Sequence, residues 1–306
     1  LAFNSVQSNT MSAALQSAFS IEPLNSGIVI SVLTLVIIFG GVHRIAAISS
    51  VIVPVMAVGY IALALFVVLA NIDRIPAVVE QIVGNAFGWH QAVGGGIGTA
   101  LMQGIKRGLF SNEAGMGSAP NAAATAHVTH PAKQGFIQAL GVFTDTLLIC
   151  SCTAFIILFG EDYVGSGLDG IQLTQAALTS EVGNIGGIYV AIATLFFAYS
   201  SILGNYYYGE ANIRFFTSRQ WPVVLYRMLV GGMVLFGSLA SLNLVWNLAD
   251  VTMALMSICN LIAIFLLGKY AFRLLDDYLA QKRKGIKSPV FHKEQMKDIE
   301  QDLECW

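Results

Sequence analysis

The sequence has 306 residues, of which 56% are hydrophobic and 11% charged, with a formal net charge of −2. A chain this apolar, with positive mean hydropathy, reads as an integral membrane protein. The charge argues against a nucleic-acid partner, and no Lys/Arg cluster interleaves with aromatics as such binding requires.

In chain order, Ser5–Phe19 reads as the later part of a helix, with Asn4, Gln7, Ser8 and Asn9 giving it a polar, cavity-facing side. Leu1 is no initiator, so the chain is expected to be the carboxy-terminal part of a longer protein. Membrane spans are predicted at Gly27–Gly41 and Val51–Asn71, joined by a basic turn at His43-Arg44. Ile75–Phe87 is too short and polar to cross a bilayer and is expected to lie at its interface.

The stretch from Gln91 to Val128 has the length of a span, yet eight glycines fall between Gly94 and Gly117 and Pro120 follows. Lys106, Arg107, Ser111, Asn112 and Glu113 occupy its middle. Glycine weakens a helix interior by roughly 1 kcal/mol, and a charge at the bilayer centre costs about 2.5–3.5 kcal/mol. The pattern predicts a discontinuous helix, with halves at Ala92–Phe110 and Ala114–His127 meeting at Ser111-Asn112-Glu113. Carbonyls of the first half and amides of the second then lack intrahelical partners and must face a cavity or ligand. Tight packing of small residues accounts for the glycines but leaves the polar middle unexplained.

Gln134–Phe159 reads as a span carrying Asp145, and Glu161–Asn184 as a polar loop with four carboxylates. Further spans are predicted at Gly186–Ile213, Pro222–Leu242 and Val245–Leu267. The transmembrane region is thus 1–268, a partial helix plus seven spans, and 269–306 is a charged tail. Eight Lys/Arg residues between Lys269 and Lys297 place that tail in the cytoplasm. Counting back, Lys133, Arg214 and Arg219 fall inside and the acidic loop outside.

No H-E-x-x-H, G-x-S-x-G or P-loop pattern is present, so no enzyme chemistry is expected. Cys150, Cys152 and Cys259 lie in apolar runs and are read as packing residues. His127 and His130 precede Pro131 at a helix end, where capping is the favoured reading over metal ligation.

GLFSNEAGMGSAP at Gly108–Pro120, HPAKQG at His130–Gly135 and GVFTDT at Gly141–Thr146 together resemble the alanine or glycine:cation symporter family. FNSVQSN near Leu1, NIDRIP at Asn71–Pro76, SSILGNYYYGE at Ser200–Glu210 and LVWNLAD at Leu244–Asp250 extend the similarity over nearly the whole chain. The resemblance implies an all-α, LeuT-type inverted-repeat transporter, here incomplete: the end of the first repeat and the whole second one. It also implies an amino-terminal Gly-rich broken helix that this sequence lacks. The expected function is sodium-coupled import of a small neutral amino acid, alanine or glycine, across the inner (plasma) membrane, with no cofactor. A channel or structural membrane subunit is the alternative.

A zwitterionic substrate needs acceptors for its ammonium and donors for its carboxylate, and a helix break presents both. Carbonyls at Gly108–Ser111 suit the ammonium. Gln7, Asn112, Ser201 and Asn205 are candidates to orient the substrate or, equally, to hydrogen-bond between helices; Ser201 and Asn205 are four apart on one face. Ser200 and Ser201 resemble the hydroxyl pair that helps hold sodium in LeuT-type folds. Lys106, Arg107, Glu113 and Asp145 are expected to pair within the bundle as structural salt bridges or gates rather than to bind substrate or cation directly. Many family members carry Trp at the Asn205 position, so its amide predicts room for a larger, polar substrate such as glutamine.

Overall fold

The computed structural model describes residues 1–40, 42–87, 95–160 and 166–296, and every regular element among them is helical. At its centre is α1, Ala2–Phe19, which packs chiefly on α10 (Asn184–Phe216) and α11 (Gln220–Leu239). Its polar residues do not form the expected cavity face. Asn4, Ser5, Ser8, Asn9 and Ser12 are all buried against neighbouring helices. Serine hydroxyls return their protons to their own helix, Ser5 Oγ to Ala2 O at 2.7 Å and Ser8 Oγ to Ser5 O at 3.2 Å. This quenches their polarity while keeping the surface thin enough for close helix packing. The partner surface is equally thin: a Cβ on Gly237 of α11 would overlap the Ser5 backbone. Asn9 Nδ2 then donates to Gly237 O at 3.0 Å and Ala240 O at 2.7 Å, locking α1 to the end of α11.

Two further helices close this body. Proline at the first turn starts α2, Pro23–Phe39, where a missing N–H costs nothing. It lies along α11, with Ser31 Oγ donating to Gly231 O at 2.8 Å. Val42–Ala70 forms α3, whose backbone is helical through residues 43 and 44, so the predicted basic turn is absent. From Pro54–Ala70 the chain bends by 74° into Ile72–Ala86. Beyond the bend lies the short helix α4, Ile75–Ala86.

The broken stretch contributes α5, Gly95–Asn112, and the one-turn α6, Ala119–Ala123. The next span is continuous but not uniformly α-helical: α7 (Pro131–Phe143), a π segment (Thr144–Cys150) and α8 (Ser151–Phe159). The predicted polar loop instead holds a helix, α9, Ile171–Val182. Ala177 and Leu178 draw it into a core with Tyr60, Ile156, Phe159 and Val190, which loop composition alone does not reveal. The last helix, α12, Leu242–Arg283, runs well past Gly268 before the tail turns back.

That tail is anchored on the start of α7. His130 caps α7 by accepting Ala132 N–H at Nδ1 (3.1 Å), which leaves Nε2 to donate to Asp277 Oδ2 at 3.1 Å. Phe291 N donates to Thr129 O at 2.9 Å, and the Phe291 ring packs edge-on against His130.

Four helices, α7–α8 together, α10, α11 and α12, are long and apolar enough to cross a membrane, and the bent α3–α4 pair passes the same test jointly. Large apolar side chains stay exposed along α12, Phe265 at 87% and Val251 and Leu255 at 61%, as on a lipid-facing surface. The chain therefore has the build of a multi-pass membrane protein.

Candidate functional site

The helix break is real, but it is placed and built differently from the expectation. α5 continues through Asn112, and the chain then turns left-handed at Glu113 (φ 54°), Gly115 (φ 80°) and Gly117 (φ 93°). Three such turns within five residues leave no room for a helix at 114–118, so the predicted second half-helix shrinks to α6. With a single turn, α6 has no developed dipole to offer a substrate.

Three carbonyls of the turn itself are held by side chains. Asn260 of α12 donates to Gly115 O at 2.9 Å, and Asn121 donates to Gly117 O at 3.1 Å and Ser118 O at 3.3 Å. Asn121 Oδ1 in turn accepts from Asn212 of α10 at 2.9 Å. At Gly117 both the positive φ and the approach of Asn260, whose Cβ lies 3.0 Å from where an alanine methyl would sit, require glycine. None of these three asparagines was singled out from the sequence. The available signal was an amide inside an apolar helical run, where an unpaired one is costly.

Beside this segment is a cavity of about 790 Å³, walled by Met116–Ser118, by Asn205, Tyr208 and Asn212 of α10, and by Thr252, Met256 and Asn260 of α12. Of the predicted substrate residues, Asn205 lines it, and its side-chain amide makes no hydrogen bond among the described residues. Ser118 Oγ, on the same wall, is buried without a hydrogen-bond partner. Tyr226 of α11 supports the Asn205 backbone, donating to Asn205 O at 3.3 Å and Tyr206 O at 3.4 Å.

The other candidates lie elsewhere. Ser111 Oγ donates to Asp145 Oδ2 at 2.5 Å and lies 3.2 Å from Cys150 Sγ; Asn112 Nδ2 donates to Thr146 Oγ1 at 3.3 Å. Both therefore face the π segment of the α7–α8 span, whose widened turn carries Asp145 and Thr146. Gly108 is half-buried on α5 and Gln7 half-buried on α1; neither lines the cavity. Ser200 and Ser201 Oγ both donate to Phe197 O, at 2.8 and 3.1 Å.

Two of the four charged candidates, Lys106 and Arg107, pair across the bundle. Lys106 Nζ and Arg107 Nη2 both meet Asp250 of α12, at 3.2 and 2.6 Å, rather than Asp145 or Glu113. Arg107 also stacks over the Trp246 ring, 4.0 Å from its centroid. Asp250 was not named as their partner from the sequence, being 143 residues beyond Arg107. A second network was also missed: buried Glu210 accepts from Arg214 Nε at 2.7 Å and Arg227 Nη2 at 3.2 Å, and Arg227 Nε donates to Tyr206 at 2.9 Å. It ties α10 to α11.

Comparison with known proteins gives the family. The chain is 54% identical over 306 residues to a probable sodium/glutamine symporter, GlnT, of Bacillus subtilis (strain 168), covering all of this chain and 64% of the relative. It is 52% identical over 307 residues to the amino-acid carrier protein AlsT of the same organism, covering all of this chain and 65% of the relative. Over 268 residues it is 39% identical to the sodium/alanine symporter AgcS of Methanococcus maripaludis, covering 87% of this chain and 59% of the relative. The chain thus spans a little under two thirds of the length of these relatives. The profile of the sodium:alanine symporter family matches residues 1–293. A match over that length, with identities above 50% to two relatives, places the chain in a family of transporters rather than enzymes: it belongs to the sodium:alanine symporter family.

Proposed function

We propose that the chain carries the substrate cavity of a sodium-coupled symporter that imports small neutral amino acids, glutamine among them, across the cytoplasmic membrane. The architecture is a LeuT-type inverted repeat, with the tail of α12 in the cytoplasm. The observation that carries this reading is the free amide of Asn205 in the cavity beside the broken helix. Asn205 is half-buried, and its unpaired amide offers a donor and an acceptor that a substrate carboxamide complements. The similarity to a relative named as a probable sodium/glutamine symporter supports the same choice of substrate.

Sodium coupling draws on the hydroxyls of Ser200 and Ser201. Each commits its proton to Phe197 O, so the oxygen lone pairs stay free for a hard cation. One sodium ion entering across 100 mV releases about 2.3 kcal/mol, enough to concentrate a substrate roughly fifty-fold. The roles of Gln7, Gly108, Ser111 and Asn112 are to complete the substrate surface once the helix bundle closes round it.

The test is competition in the full-length protein. Glutamine should inhibit labelled alanine uptake in the wild type and lose at least tenfold in potency in Asn205→Trp, where an indole replaces the amide. Equal, weak inhibition in both would overturn the substrate assignment. Counterflow, in which unlabelled substrate inside accelerates labelled uptake, identifies a carrier; its absence would overturn the symporter reading.

A further inference from the structure

We propose that the hydrogen bond between Asn121 and Asn212 is a clasp that closes the Asn205 cavity on the side of the α12 tail, and that substrate leaves when it opens. This rests on the cavity being the substrate cavity. The clasp joins the segment after the helix break to α10. Asn212 lies seven residues, two helical turns, beyond Asn205, so both stand on the same face of α10 and both line the cavity. Asn205 lies inside, and Asn212 is exposed at the mouth.

The bonds at the two ends of the segment are unequal. Gly115 O is held by Asn260 of α12, which sits so close to Gly117 that this end cannot slide. The other end is held to α10 through Asn121, whose amide bonds Gly117 O and Ser118 O while its carbonyl accepts from Asn212 at 2.9 Å. Asn212 Nδ2 also donates to Tyr208 O one turn back, at 2.7 Å, so its donor keeps a partner when the clasp opens. A neutral, exposed hydrogen bond of this kind shifts an equilibrium by about two- to tenfold. It is strong enough to bias a cavity closed and weak enough to break in every cycle. Left-handed residues on one side and a one-turn helix on the other let the segment swing about Gly115–Gly117 while staying attached to α12.

Ser118 lines the same cavity and is buried with the clasp formed, so a thiol placed there reports access, whereas Cys259 is already exposed. In the full-length protein carrying Ser118→Cys as the single reactive thiol, labelling by a membrane-impermeant maleimide is followed in inside-out vesicles. Asn212→Ser should raise the labelling rate two- to tenfold, and Asn121→Ser, which removes the same bond together with those to Gly117 O and Ser118 O, should raise it at least as much. The double variant should give no further increase. Unchanged labelling in both single variants, or increases that multiply in the double one, would overturn the clasp. Failure of the substrate reading looks different: the wild type then shows no uptake and no slowing of labelling by glutamine, whatever the variants do.

Discussion

Asp250→Asn removes the one carboxylate that Lys106 and Arg107 share while leaving shape and volume almost unchanged. At 4 Å a unit charge pair is worth about 4 kcal/mol at the effective dielectric of a partly shielded site, before desolvation and side-chain entropy are subtracted. Asp250 is 17% exposed and its two partners 39% and 37%, so the pairs fall between exposed ones, worth up to about 1 kcal/mol, and buried ones, whose breaking costs about 3–5. A loss of about 1–2 kcal/mol is expected. Arg107 carries the larger share: its contact is 2.6 Å against 3.2 Å for Lys106, and its guanidinium is already held over the Trp246 face. The assay is a double-mutant cycle on the thermal unfolding of the detergent-solubilised full-length protein, with Arg107→Gln and Asp250→Asn. Coupling of about 1–2 kcal/mol is expected for Arg107, and under 1 kcal/mol for the parallel cycle with Lys106→Gln. Arg107→Lys should recover less than half of the coupling, because an ammonium neither forks to the carboxylate nor stacks on the indole. Additivity of Arg107→Gln and Asp250→Asn within about 0.4 kcal/mol would refute the assignment of Asp250 as partner.

Gly117→Ala should destabilise the full-length protein by about 2 kcal/mol, since it imposes a left-handed alanine and presses a methyl on Asn260; Gly108→Ala, with open space at its Cβ position, should not, and equal effects would count against this local reading. Glu210→Gln should cost about 3 kcal/mol by leaving Arg227, 16% exposed, without its counter-charge, and a melting temperature unchanged within a degree would show that the network is not structural. His130→Ala removes both the cap of α7 and the aromatic seat of Phe291, so proteolysis within 286–296 should accelerate at least fivefold; wild-type cleavage rates would mean that the tail is held by other contacts.

Membrane character, helical class and the existence of a break near Glu113 follow from the sequence alone, because they depend on local quantities. An apolar run of span length cannot be a soluble loop, and a central carboxylate followed by Gly115 and Gly117 disfavours a continuous helix through lipid. Capping near Pro131 was legible for the same reason, whereas the fact that His130 caps the start of α7 came from the structure. Tertiary packing decided the rest. Whether Asn4, Ser8 and Asn9 face a cavity or a neighbouring helix depends on how closely α11 approaches, and Gly237 permits contact. The loop at 171–182 became a helix because a core formed for Ala177 and Leu178 to join. The partner of Arg107 lies 143 residues away, the amide that meets Gly115 O comes from 145 residues along the chain, and the one that meets the Asn121 side chain from 91. Those pairings follow from where α10 and α12 lie. Hydropathy could place these two helices in the membrane, but it carries no information on which of their faces would meet the break.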